Sequence, residues 1–97
     1  NKYGAQIKAA DSGEVIYSGW WDGYGKAIVI SHGNNRSTVY GHLSRLYKNV
    51  GEKVAKGQVI GLEGSTGYST GPHLHFEIRI NGKPVDPMPY LGAMVAQ

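Results

Sequence analysis

The sequence predicts an all-β domain of short antiparallel strands, a small sandwich or barrel-like hybrid, on three observations. Apolar Leu74, Phe76, Ile78 and Ile80 alternate with polar His75, Glu77 and Arg79, the mark of a half-buried strand. Glycine accounts for 15 of 97 residues, about twice the ~7% average, without a collagen-like period. Tight turns use that excess, whereas helices tolerate it badly. No segment as long as an ordinary helix carries a helical period.

The elements follow in order. Glu14 to Trp21 and Lys26 to Ser31 are rich in β-branched and aromatic residues and read as strands, with Asp22-Gly23-Tyr24-Gly25 as the turn between them. Gly33-Asn34-Asn35 breaks the chain again before the strand Ser37-Thr38-Val39-Tyr40. The best helical candidate is a single turn around Leu43 to Tyr47. Gln58 to Leu62 reads as a further strand, bounded by Gly57 and the glycine-rich loop from Gly64 to Gly71. After Leu74–Ile80, Asn81-Gly82 marks a tight hairpin into a short strand around Pro84-Val85. The tail from Asp86 to Gln97 carries Pro87 and Pro89 and is expected to lie over the surface, pinned by Tyr90 and Leu91. Gly13-Glu14-Val15 and Gly51-Glu52-Lys53-Val54 form a faint internal echo, a hint of a duplicated unit.

Composition removes several classes of function. Ninety-seven residues hold one core and no second domain. Cysteine is absent, which excludes disulfides, thiol nucleophiles and cysteine-built metal sites. Hydrophobic residues at 40% and charged residues at 18% describe a globular chain. No apolar run approaches the ~20 residues of a membrane span, and the N-terminus lacks the layout of a signal peptide. The net charge is +3, yet the ten Lys and Arg are scattered from Lys2 to Lys83. A nucleic-acid partner calls for a basic stripe, so none is expected.

Any metal here must therefore sit on nitrogen or oxygen, which turns attention to the four histidines. His73 and His75 are two apart on one strand, so both imidazoles share a face, roughly 7 Å apart at Cα from a rise of about 3.3 Å per residue. Gly71 and Pro72 fix where that strand begins. His42 and His32 each end another candidate strand beside a glycine. An isolated His-x-His also occurs on exposed faces without metal, and His32 reads as a hydrogen-bonded surface residue.

The string Gly64-Ser65-Thr66-Gly67-Tyr68-Ser69-Thr70-Gly71-Pro72-His73-Leu74-His75-Phe76-Glu77, with Tyr40-Gly41-His42-Leu43 and the segment from Val50 to Gly61, closely resembles the lysostaphin/LytM-type zinc metallopeptidases. The likeness runs from about Gly4 to Leu91. Ala9 to Val15 and Val85-Asp86-Pro87 fit the same pattern at its ends. The resemblance implies an extracytoplasmic domain of the duplicated hybrid motif type that hydrolyses peptide bonds in bacterial peptidoglycan. It makes His75 a zinc ligand, and His42 and His73 the non-ligating histidines that orient the attacking water and stabilise the oxyanion. Zinc with three protein ligands keeps an open position and lowers the pKa of a bound water toward 7. Tyr68, Ser69 and Thr70 in the glycine-rich loop are expected to line the substrate groove.

One departure is serious. Such enzymes take their other two zinc ligands from a His-x-x-x-Asp segment, and these 97 residues contain none. The pattern places that segment a few residues before Asn1. Either the first strand is missing from this chain, or the domain is a degenerate member; intact His42, His73 and His75 favour the former. The chain as it stands is expected to bind zinc weakly and hydrolyse little. The alternative is a non-catalytic module of the same fold that binds peptidoglycan or regulates another cell-wall hydrolase. A lipoyl-type carrier also shares the rhythm of Val50 to Leu62, but it needs an acceptor lysine where Glu63-Gly64-Ser65-Thr66-Gly67 stands. Trp20, Trp21, Tyr24, Tyr40 and Tyr68 offer aromatic faces for a wall-binding platform, but most of them read as core and rim residues.

Overall fold

In the computed structural model, which describes residues 4–64 and 75–85, every regular element is a β-strand. The strands are β1 (Gln6–Lys8), β2 (Gly13–Trp21), β3 (Gly25–Gly33), β4 (Arg36–Leu46), β5 (Lys53–Val54), β6 (Val59–Glu63), β7 (His75–Ile80) and β8 (Lys83–Val85). All their pairings are antiparallel. Their order is β1-β6-β4-β3-β2-β5, with β7 beside β4 and β8 beside β7. The sheet curls into a half-barrel, the barrel-like antiparallel fold that the sequence predicts. Asn81 and Gly82 both have positive φ, 55° and 79°, as the tight turn between β7 and β8 requires.

Strand β4 positions the site. One of its edges pairs with β3 from Arg36 to Leu43. Its other edge is divided: β7 takes Arg36 to Gly41, and β6 takes Leu43 to Leu46. Against β3, Tyr40 faces Ile28 and Leu43 faces Lys26, so β4 spends one residue more than its partner across this interval. That extra residue is a β-bulge, and it falls at Gly41-His42.

The inner side of the sheet buries Ile7, Val15, Ile28, Ile30, Tyr40, Leu43, Val54, Ile60 and Ile78 in one cluster. Full burial of such a side chain contributes about 1.5–3 kcal/mol. Phe76 and Ile80 pack against it from β7, which leaves His75, Glu77 and Arg79 for the opposite face.

The helical turn expected around Leu43 to Tyr47 is strand instead, because β4 runs through Leu46 and Tyr47 N–H donates to the Ile60 carbonyl at 2.9 Å. A second irregularity between Leu43 and Arg45 adds a residue there. The irregularity lets Leu43 and Leu46, three apart, both reach the core, which imitates a helical spacing. Strands β1 and β5 span three and two residues, too few to show alternation. The tail from Asp86 to Gln97, including Tyr90 and Leu91, lies outside the described residues.

The internal echo has a structural counterpart. Gly13 and Glu14 pair with Val54 and Lys53. Val15 N–H donates to the Glu52 carbonyl and Gly51 N–H to the Val15 carbonyl, both at 2.9 Å. The two similar segments lie antiparallel against each other, and Val15 and Val54 both enter the core.

His32 serves the fold, as expected. Its Nδ1 lies 2.7 Å from the Ser12 carbonyl, which only accepts, so Nδ1 carries the proton. Its Nε2 lies 2.8 Å from Thr38 Oγ1, which is 2.9 Å from the Tyr40 hydroxyl. That hydroxyl accepts the Ala10 N–H at 2.8 Å. The chain of contacts ties residues 10–12 to β3 and β4 and satisfies the polar end of a tyrosine that is 1% exposed.

Burial pushes the Tyr40 hydroxyl above its ordinary pKa, with Asp11 adding to the rise, against opposing hydrogen bonds from Thr38 and Ala10. The unfolded chain therefore releases this proton first. The linked stability is full below the ordinary tyrosine value of about 10 and is lost as pH rises from there through the folded value. Tyr40→Phe is expected to cost about 1–3 kcal/mol at neutral pH by stranding its partners. Its deficit relative to the wild type narrows at alkaline pH. Chemical denaturation of both proteins at neutral pH and above about pH 10 checks this, and a constant deficit contradicts it.

Candidate active site

Along β7, alternation sets His75, Glu77 and Arg79 on one face. They stand opposite Gly41, Val39 and Ser37 of β4 respectively. The bulge then adds His42 to this group. His42 has φ of 60°, in the left-handed region that few residues other than glycine occupy. The turn re-aims its side chain, so its ring lies 5.7 Å from that of His75, centroid to centroid, at 83°. His42 is 7% exposed, while the His75 side chain is 40% exposed. The structure thus brings together two of the histidines that the sequence singles out. His73, Tyr68, Ser69 and Thr70 lie outside the described residues.

Tyr24, at the β2–β3 turn, closes over Gly41. Its carbonyl accepts the His42 N–H at 2.6 Å, and its ring meets the His75 ring edge-on at 5.0 Å. Gly41 permits this approach: a Cβ there would lie 3.2 Å from Tyr24 Cδ2 and 3.4 Å from His75 Cβ. Trp21 stacks on the Tyr24 ring at 4.6 Å and 16°, and the Arg79 guanidinium sits 5.1 Å from the Trp21 ring centre.

Glu77 is the electrostatic hub. Its Oε2 accepts the Tyr24 hydroxyl at 2.5 Å and lies 2.7 Å from His75 Nε2. Its Oε1 accepts Arg79 Nε at 2.9 Å, and Arg79 Nη2 reaches the Tyr24 hydroxyl at 3.1 Å. Burial alone would push this carboxyl up, but bonds from Tyr24, His75 and Arg79, with the guanidinium charge, hold it below its ordinary pKa. The bond to Glu77 raises the Tyr24 pKa, assisted by burial. Burial would lower that of Arg79, but Glu77 reverses the direction.

An ionised carboxylate only accepts, so His75 Nε2 is the donor, and the neutral ring keeps its lone pair on Nδ1. A metal-ligating histidine is commonly held in this way. The donor chemistry of His75 therefore fits a zinc ligand. No group of three or more His, Asp or Glu capable of holding a metal forms among the described residues.

Sequence reading gave no role to Tyr24, Glu77, Arg79 or Gly41 in this site. The period of two already put Glu77 and Arg79 on the His75 face, a usable signal. Tyr24 had none, because it meets Glu77 across 53 residues of chain. Among the other aromatic residues, Tyr40 is core, Trp21 is a half-buried rim residue, and Trp20 is 57% exposed.

The profile of peptidase family M23 matches residues 1–87. The DD-carboxypeptidase/endopeptidase Mpg of Neisseria meningitidis is 48% identical over 85 residues, covering 88% of this chain and 20% of that protein. The murein hydrolase activator EnvC of Escherichia coli is 42% identical over 89 residues, covering 92% and 21%. The chain spans about a fifth of the length of these curated relatives. Among solved structures, the catalytic domain of the antimicrobial peptidase lysostaphin from Staphylococcus simulans superposes with a TM-score of 0.87 at 40% identity, covering 94% of this chain and 73% of that one. A zinc containing peptidase from Vibrio cholerae gives 0.87 at 39% identity, covering 91% and 27%. With a matching profile over nearly its whole length and the same fold, the chain belongs to peptidase family M23.

Proposed function

We propose that this domain is the hydrolytic unit of an extracytoplasmic zinc endopeptidase that cuts peptide bonds in bacterial peptidoglycan. The observation that carries the reading is the placement of His42 against His75, with His75 Nε2 held by Glu77. The printed activities of Mpg and lysostaphin support it. His75 is one zinc ligand, and a His-x-x-x-Asp segment before Asn1 in a longer protein supplies the other two. When bound, zinc supplies Lewis acidity at the scissile carbonyl and acidifies water.

The chain's own residues do the rest. His42 and His73 take the acid–base roles: a histidine accepts the proton of the attacking water and passes it to the leaving amine, and a histidine donates to the developing oxyanion. The φ of His42 is part of this arrangement, since it aims the imidazole at the histidine of the next strand. Tyr68, Ser69 and Thr70 bind the peptide: the hydroxyls bond its backbone and the aromatic ring packs on it.

A second reading is a non-catalytic module that regulates another cell-wall hydrolase. Its support is the similarity to the murein hydrolase activator EnvC. Zinc content and muropeptide release, measured on this chain and on a version extended upstream, separate the two. The 97-residue chain is expected to hold zinc far below one equivalent and to release no muropeptides; near-stoichiometric zinc contradicts this. The extended enzyme is expected to hold zinc and cut. A zinc-free extended protein that instead speeds another hydrolase establishes the second reading.

In the active extended protein, His42→Ala is expected to lower turnover by about 10²–10⁴-fold with zinc retained, the usual scale of a lost acid–base group. Metal loss in that variant contradicts the assigned role. Tyr68→Ala is expected to weaken co-sedimentation with purified cell walls while leaving the thermal midpoint unchanged. Unchanged sedimentation removes Tyr68 from the groove.

A further inference from the structure

Glu77 is a carboxylate held at both of its oxygens. Three donors from two parts of the chain converge on it, Tyr24 and His75 on Oε2 and Arg79 on Oε1. Its side chain is only 14% exposed. Arg79 closes the ring by bonding the Tyr24 hydroxyl. Tyr24 is itself fixed on three sides: stacked on Trp21, seated over Gly41, and bound through its carbonyl to the His42 amide. One residue thus touches both site histidines, His42 through its main chain and His75 through its ring edge and Glu77.

We propose that Tyr24 and Glu77 are positioning residues that set the tautomer and ring orientation of His75 and its spacing from His42. With Glu77 pinned by Tyr24 and Arg79, the only way His75 can meet it is with Nε2–H as donor. The lone pair then resides on Nδ1 whether or not a metal is present. A merely structural ion pair between Glu77 and Arg79 needs neither the tyrosine hydroxyl nor a particular imidazole tautomer. The use of this arrangement in metal binding rests on the hydrolytic reading above; the arrangement itself does not.

The test is side-chain nitrogen and proton NMR of the 97-residue chain at about pH 8, where an ordinary imidazole is neutral. The wild type is expected to show His75 as the Nε2–H tautomer, with an Nε2 proton resonance protected from water. Glu77→Ala is expected to lose that resonance and average the two ring nitrogens, while the amide spectrum of the core stays in place. Glu77→Gln restores the resonance, because the amide oxygen still accepts. Tyr24→Phe keeps it but speeds its exchange, because Glu77 has lost an anchor. An Nδ1–H tautomer in the wild type, or a resonance that survives Glu77→Ala, overturns the proposal. If Glu77→Ala does not fold, Tyr24→Phe decides: faster exchange supports the proposal, and an unchanged rate overturns it.

Neither zinc nor peptidoglycan enters this readout. A longer protein that binds no zinc would defeat the hydrolytic reading and leave the tautomer result standing. In a zinc-loaded longer protein, chelator competition is expected to show Glu77→Ala weakening zinc by about 10–100-fold, the usual effect of losing a histidine's supporting partner. Unchanged affinity there limits Glu77 to the metal-free ring and overturns its positioning role toward zinc.

Discussion

An inner strand must satisfy hydrogen-bonding groups on both of its edges, and β4 does so with three neighbours instead of two. β3 covers one edge, while β7 and then β6 share the other. Two strands cannot meet end to end on one edge without a break in the ladder. Here the break falls at Gly41-His42, where β4 takes in an extra residue. The same residue that solves the pairing problem points its imidazole at β7. The position of His42 is thus a consequence of sheet topology, and the rest of the site is built against it.

What holds the site is electrostatic and cooperative. A largely buried, ionised carboxylate is costly unless it is hydrogen-bonded, and Glu77 meets that condition with Tyr24, His75 and Arg79. The stack of Trp21 on Tyr24, with the Arg79 guanidinium beside Trp21, packs the network on one side. Packing on the core side of β7 and hydrogen bonding on the other use alternate residues of one strand, so neither compromises the other.

The local pattern of the sequence carried much of this. Alternation over 74–80 placed His75, Glu77 and Arg79 together, and Asn81-Gly82 announced its turn. The motif around His42 and His75 named the family. The pattern failed where pairing overrides local preference. Leu43 and Leu46, three apart, both reach the core because the ladder between them is irregular, and that spacing reads as a helical step when only the sequence is in view. β1 and β5 exist because partners exist for them, with too few residues to announce themselves. Tyr24 read as a turn residue, and only the folded chain brings its hydroxyl to Glu77. Contacts across long stretches of chain leave no period behind.

The backbone at His42 also governs what a substitution there can do. A left-handed conformation costs an ordinary L-residue roughly 1–2 kcal/mol, and glycine or asparagine occupies it more easily. The bulge itself is demanded by the sheet, so this cost cannot be removed by reshaping the strand. It can be removed by exchanging the side chain. Glycine at position 42 relieves the backbone cost and can keep the bulge, so what such a substitution removes is the imidazole and not the main-chain path.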